Sequence, residues 1–296
     1  MKNFNDIYEK IYKDNYSIIE EKRKAAKKRI VIIFVLLVGI GIILSNIVPK
    51  NGWLAILLSV LVALIYIAGS SKSTHYNRAY KQLVINNFIE EYDTNLQYRH
   101  NRGLSSNIYT MGEFEKFDRY FSEDWISGTL NNKTNIVMSE VKTERRERDN
   151  KGRTYYVTIF HGLFAEVSLD KIIDSTTRVR RNRFKLIDRA DSLSMDSGEF
   201  ESLFDVYSDG KIETMQILTL DIMQKIIDFT KQTKVIPEFT IKENCIYLRF
   251  NMGDIFEANV LKSGLDYETL KKYYDIINFI ENIIDEITKN LEDAGI

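Results

Sequence analysis

One histidine lies inside an apolar, strand-like stretch: His161, in Ile159-Phe160-His161-Gly162-Leu163-Phe164. An imidazole can move a proton near neutral pH, but catalysis also needs a nucleophile or an orienting acid within reach. Neither neighbours His161 in the sequence. It therefore reads as a core or edge residue, with catalysis as the alternative. His75 and His100 fall at the start and end of a helical stretch. The lone cysteine, Cys245, flanks a strand, where a buried thiol is inert. Three histidines and one cysteine do not make a structural zinc site, and one thiol cannot form an internal disulfide. No metal and no cofactor are expected.

Asp205, Asp209 and Gly210 resemble part of a calcium loop, but Tyr207 stands at the third ligand place and Gln216 at the twelfth. That loop needs a bidentate Glu at its last position, so this segment reads as a turn. No phosphate-binding glycine loop, paired metal-binding histidines or nucleophile elbow occurs. No catalytic residue can be named. An enzyme assembled from scattered residues remains one of three readings.

The densest functional signal is basic. Arg178, Arg180, Arg181, Arg183 and Lys185 surround Val179 and Phe184. Strand alternation puts several of these bases on one face, which could meet lipid headgroups, an anionic small ligand or an acidic partner. The blander reading is an exposed strand laced with carboxylates. Glu144 to Arg153 is a second charged run, of mixed sign and ending in Asn150-Lys151-Gly152, and reads as a solvated hairpin tip.

The elements that must position these residues begin with two apolar runs, Ile30 to Val48 and Trp53 to Ser71, joined by Pro49-Lys50-Asn51-Gly52. Each nears the roughly 20 apolar residues that cross a bilayer. The sequence thus predicts a two-helix transmembrane hairpin over 30–71. The basic segment before the first run is too long, and no small-residue site follows it, for a cleaved signal peptide. Lys22, Arg23, Lys24, Lys27, Lys28 and Arg29 flank the first run, and Lys72, Arg78 and Lys81 follow the second. That bias predicts a multi-pass inner-membrane protein with both termini cytoplasmic.

Residues 1–29 hold nine Lys/Arg against five Asp/Glu, a net +4. With Lys50 and a whole-chain charge of −1, the part after the hairpin carries −6. A mildly acidic domain argues against nucleic acid, which demands a basic face. Low proline with abundant Ile, Lys and Asn suggests an AT-rich bacterial coding bias.

Phe4, Ile7, Tyr8, Ile11 and Tyr12 recur at helical spacing, so 1–29 is expected to be an amphipathic basic helix. Tyr76, Tyr80, Leu83, Val84, Phe88, Tyr92 and Leu96 give a matching stripe, predicting a stalk helix over 72–100 packed on the first. Residues 101–296 then read as a cytoplasmic α+β domain, a mainly antiparallel sheet with packed helices. Phe114, Phe117, Tyr120 and Phe121 suggest a short helix. Strands follow around Ile136–Val141 and Tyr155–Val167, a short capped helix at Asp196–Leu203, and a strand at Phe204–Tyr207. A helix from Thr219 to Thr230 and a strand pair, Phe239–Ile241 and Cys245–Asn251, come next. A long helix from Asp266 to Asp293 closes the chain. Its Tyr273, Ile277, Ile280, Ile284, Ile287 and Leu291 form a coiled-coil-like seam that packs on the domain's own sheet or pairs two copies as a homodimer.

Trp125-Ile126-Ser127-Gly128, Ser139-Glu140-Val141, the segment around His161 and above all Met195 to Met223 resemble the bacterial domain of unknown function 3137 family. In the last, Asp196-Ser197-x-x-Phe200-x-x-x-Phe204-x-Val206-Tyr207-Ser208 precedes Ile217-Leu218-Thr219. The resemblance implies a membrane hairpin ahead of such a domain and a membrane-protein partner; it implies no activity, cofactor or substrate. The expected function is a protein-interaction or scaffold module at the inner leaflet. An anionic lipid or small-ligand sensor built on Arg178, Arg180, Arg181 and Arg183 is the first alternative, and an enzyme the second.

Overall fold

The structure is a computed structural model that describes residues 3–47, 53, 56–62, 75–131, 133–182 and 192–295. No Gly or Pro interrupts the chain before Gly39, and one helix, α1, runs unbroken over Phe4–Ile47. Residues 56–62 are also helical. Then come α2 (His75–Tyr80), a π-helical turn (Lys81–Ile85) and α3 (Asn86–Tyr92). The remainder runs β1 (Leu96–Arg99), α4 (Ser106–Met111), β2 (Arg119–Leu130), β3 (Thr134–Arg148), β4 (Thr154–Arg181) and α5 (Gly198–Leu203). It ends with β5 (Phe204–Ser208), α6 (Lys211–Ile217), α7 (Leu220–Thr233), β6 (Pro237–Asn251) and α8 (Tyr267–Asp293). The α+β class with an antiparallel sheet is as expected.

The transmembrane hairpin is not. Among the described residues, no helix is long and apolar enough to cross a membrane. More than half of α1, from Phe4 to Arg29, is its charged amphipathic part, which packs within its own unit. Of the second run only residues 53 and 56–62 are described, and the joining turn at 48–52 lies outside the described residues. The multi-pass inner-membrane location with cytoplasmic termini, inferred from that hairpin, is overturned with it.

Chain contacts form two units, Met1–Tyr92 with Phe256–Leu270, and Asp93–Ile255 with Lys271–Ile296. In the first, Phe4, Ile7, Ile11 and Ile19 on α1 are buried, as are Tyr76, Tyr80, Val84 and Phe88. α1 packs on α2, the π-helical turn and α3, but the expected helix over 72–100 stops at Tyr92 and the last residue of its stripe, Leu96, belongs to β1. Segment 256–270 closes over them: Tyr8 donates to the Leu265 carbonyl at 3.0 Å, and Arg23 to that of Val260 at 2.9 Å. Asn77 accepts from the Ala258 N–H at 2.8 Å, and buried Lys81 pairs with Glu257 at 2.7 Å.

The second unit is built on a six-stranded antiparallel sheet in the order β1-β2-β3-β4-β5, with β6 on β4. At 28 residues, β4 far exceeds an ordinary strand. It does so by changing neighbours: β3 pairs along Thr154–Val167 and β5 along Thr177–Arg181, both on the side away from β6. β6 is likewise one strand, not the expected pair, with its register on β4 shifting between Ser168 and Thr177.

Side chains alternate across β6. Phe250 faces α7 and α8, meeting Phe229 and Phe279 at 5.9 and 6.1 Å between ring centroids. Arg249 faces the other way, towards Tyr109 of α4 and the 112–118 loop. Phe114, Phe117 and Tyr120 are in that loop and the start of β2, not in the expected helix. They join a cluster around Tyr109, Phe160 and Phe164. On α8, Ile277, Ile280, Ile284, Ile287 and Leu291 are all 2% exposed or less within the chain itself. The seam proposed for a homodimer is thus spent on the chain's own packing.

Candidate functional site

The basic strand is the second half of β4. Arg178 and Arg180 share one face, and Arg181 takes the other. Arg178 donates to Glu113 at 2.7 Å, and Lys242 grips the other oxygen of that carboxylate at 2.8 Å. These two cations, Lys242 foremost, hold the Glu113 carboxyl below the usual carboxylate range. Arg180 turns inward and donates to the carbonyls of Phe239, Gly112 and Glu113 at 2.7 to 3.1 Å, and to the Thr240 hydroxyl at 2.7 Å. Burial, then neighbouring Arg249, bring its pKa down to about 10, which leaves it charged at neutral pH. Arg181 is exposed at the side chain, while its N–H donates to Glu238 at 3.0 Å. Arg183 and Lys185 lie outside the described residues.

Sequence reasoning missed the centre of this network. Phe114 meets two guanidiniums, those of Arg180 and Arg249, each with its Cζ 4.3 Å from the ring centroid. Arg249 is 1% exposed, and donates to Glu238 at 2.8 Å and to Glu115 at 2.9 Å. Burial pulls its pKa down, yet the bond to Glu115 and the charge of Glu238 outweigh that and hold it above the usual value. The only sequence signal was an arginine at a strand position whose neighbours are apolar. The flanking Lys22, Lys24, Lys27, Lys28 and Arg29 are carried on α1, where Arg23 bonds Glu20 at 2.7 Å.

Ahead of its contact with β6, β4 forms a two-stranded ribbon with β3. The 144–153 run is its tip, as expected: Asp149 accepts from the N–H groups of Lys151 and Arg153 at 2.9 and 2.8 Å, and Gly152 supplies φ +78°. Glu144 pairs with Lys142, Glu147 with Arg145, and Asp149 with Arg153. Arg146, Arg148 and Lys151 form no ion pair among the described residues, and all three are exposed. Phe121 on β2, opposite Lys142, and Tyr155 and Tyr156 on β4, opposite Glu147 and Arg146, are exposed, with the Arg119 guanidinium 3.3 Å over the Tyr156 ring. No strand pairs the outer edge of Thr154–Phe160 among the described residues.

At the ribbon's base stands His161, where Gly162 lets β4 approach β6 closely. A Cβ on Gly162 would lie 2.0 Å from the Phe250 oxygen. The imidazole is not isolated: Nε2 is 2.9 Å from Oε1 of Glu140 and 3.2 Å from Oδ1 of Asp254. The two acids lie 21 positions before it and 93 after, which is why neighbouring sequence hid them. Burial pushes the Cys245 thiol up, away from the reactive thiolate. A cavity of about 230 Å³ lies among Ser192, Leu193, Ser194, Glu201, Phe204 and Asp205. It is smaller than the ~300–1,000 Å³ usual for ligand pockets.

Together these features define an α+β protein with a sheet domain, an internal arginine network and an exposed ribbon. Residues 158–289 match the model of the family described as Protein of unknown function (DUF3137). The matched range takes in the stretches around His161 and Met195–Met223; Trp125–Gly128 and Ser139–Val141 lie ahead of it. Comparison with curated proteins gives no match. Among solved structures, a mycobacterial protein titled trehalose monomycolate transport factor A is similar over 73% of this chain and 93% of its own. The identity is 6% and the TM-score 0.37, a likeness that supports no inference about activity.

Proposed function

We propose that this chain is a protein-interaction module, and that the β3–β4 ribbon is its contact surface for an acidic, extended segment of a partner protein. The observation behind this reading is the coincidence, among the described residues, of an open strand edge at Thr154–Phe160, three exposed aromatic rings, and three cations without carboxylate partners. An open edge accepts a further strand through main-chain hydrogen bonds. Aromatic and arginine side chains supply most interface energy. Unneutralised Arg146, Arg148 and Lys151 attract an acidic segment and steer its approach. Arg178 and Arg180 are bonded within the domain, which weighs against a sensor built on those two.

A photo-crosslinking residue at Tyr155 of the full chain tests this, with one at exposed Ile172 as control. A specific adduct is expected from position 155 alone. It should diminish at least tenfold with Arg146→Glu, Arg148→Glu and Lys151→Glu combined. A peptide copying the captured protein's acidic segment should compete for the site. Equal adducts at both positions, or none lost on charge reversal, would overturn the reading.

A further inference from the structure

We propose that Glu140, His161 and Asp254 bind a divalent first-row transition ion of the zinc class. Their donor atoms, one nitrogen and two carboxylate oxygens, lie within 4.8 Å of one another. Around a four-coordinate ion with bonds of about 2.0–2.2 Å, neighbouring donors sit roughly 3.3–3.6 Å apart. The observed edges of 2.9 and 3.2 Å therefore need to open by only a few tenths of an ångström. An imidazole among the ligands selects against Ca²⁺ and Mg²⁺, which prefer all-oxygen shells. Three protein ligands would leave a fourth position for water or a partner's group.

Backbone bonds hold this geometry in place. Glu140 is 3% exposed, and its Oε2 accepts from the Ile255 N–H at 2.9 Å, which turns Oε1 towards His161. The His161 carbonyl accepts from the N–H groups of Met252 and Gly253 at 3.1 and 2.9 Å. Gly253, at φ +76°, makes the turn that brings the Asp254 carboxylate to Nε2 of His161. One ligand comes from β3, one from β4 and one from the loop after β6. Such outer support is what holds metal ligands in register. The competing arrangement is an imidazolium bridging two carboxylates with no ion involved.

Titration of the full chain, first stripped with a chelator, with Zn²⁺ and then Co²⁺ at pH 7.5 separates the two. Expected are one equivalent bound, visible Co²⁺ absorption, and a higher thermal midpoint with Zn²⁺. Asp254→Asn, at a half-exposed position, should weaken binding at least tenfold with the wild-type far-ultraviolet spectrum kept, and His161→Ala should abolish it. The His75→Ala/His100→Ala double variant should bind like wild type. No saturable binding, or equal affinity in wild type and Asp254→Asn, would leave an ion-pair cluster and overturn the proposal.

Discussion

Arg249 shows how one side chain can set the energetics of a face. Its guanidinium is enclosed by Glu238, Glu115, Tyr109 and the Phe114 ring, and Glu238 is itself only 6% exposed. Removing one partner of a buried pair strands the other's charge, at about 3–5 kcal/mol. Arg249→Met is therefore expected to lower unfolding free energy by that amount in urea titration. Arg249→Met with Glu238→Gln should recover much of it; no recovery would show that packing, not stranded charge, sets the cost. Glu113 makes a second claim at this scale. Lys242 and Arg178 depress its folded pKa, so its contribution is complete above the unfolded value, about 4.3. It is lost as pH falls through the lower folded value. Stability against pH should accordingly fall less steeply below pH 4.5 in Glu113→Gln than in wild type. Identical slopes would remove Glu113 from the acid response.

β4 organises its unit because three strands pair with it in turn, and Gly162 permits the crossing. A Cβ there meets the Phe250 carbonyl, a backbone atom that cannot swing aside. Gly162→Ala is expected to cost about 1–3 kcal/mol and to shift His161 relative to Glu140. The checks are a denaturation midpoint and the chemical shifts of the imidazole. On α8, Ile280→Ala should cost about 2–5 kcal/mol without changing the mass by light scattering, since Ile280 is 0% exposed in a single chain. Elements with a strong period were legible from sequence: the α8 seam, the stripe of α1, the alternation around Ile136–Val141. Asp196 and Glu199 marked the start of α5, although the side-chain cap is Ser197, which accepts from the Phe200 N–H. The length of β4 was not legible, because no glycine or proline marks where β3 gives way to β5. The 112–118 loop was misread because its aromatics have helical spacing, yet Glu113 takes φ +52° and the segment folds over Arg249. The histidine cluster was hidden because its acids converge only through strand pairing and a turn.

At the scale of the whole molecule, the chain leaves and re-enters each unit rather than finishing one before starting the other. Segment 256–270 belongs with residues 1–92, although it follows the sheet and precedes most of α8. Phe256, Ala258, Val260 and Leu265 in it are all 7% exposed or less. Their main chain is held by Asn77, Arg23 and Tyr8, and Gly264 approaches Ile19 so closely that a Cβ would lie 2.2 Å from it. Interactions separated by some 180 to 260 positions close slowly, because loop entropy must be overcome before contacts repay it. A chain starting at Asp93 keeps every strand of the sheet and all the arginine network, but leaves 256–270 without the helices that cover it. That truncation should retain the far-ultraviolet strand signal and a cooperative urea transition. It should also bind an apolar dye several-fold more strongly than the full chain. Adding Phe256→Ser and Leu265→Ser to it should bring dye binding back towards the full-chain level. If dye binding does not rise on truncation, residues 1–92 do not provide the cover that buries this segment.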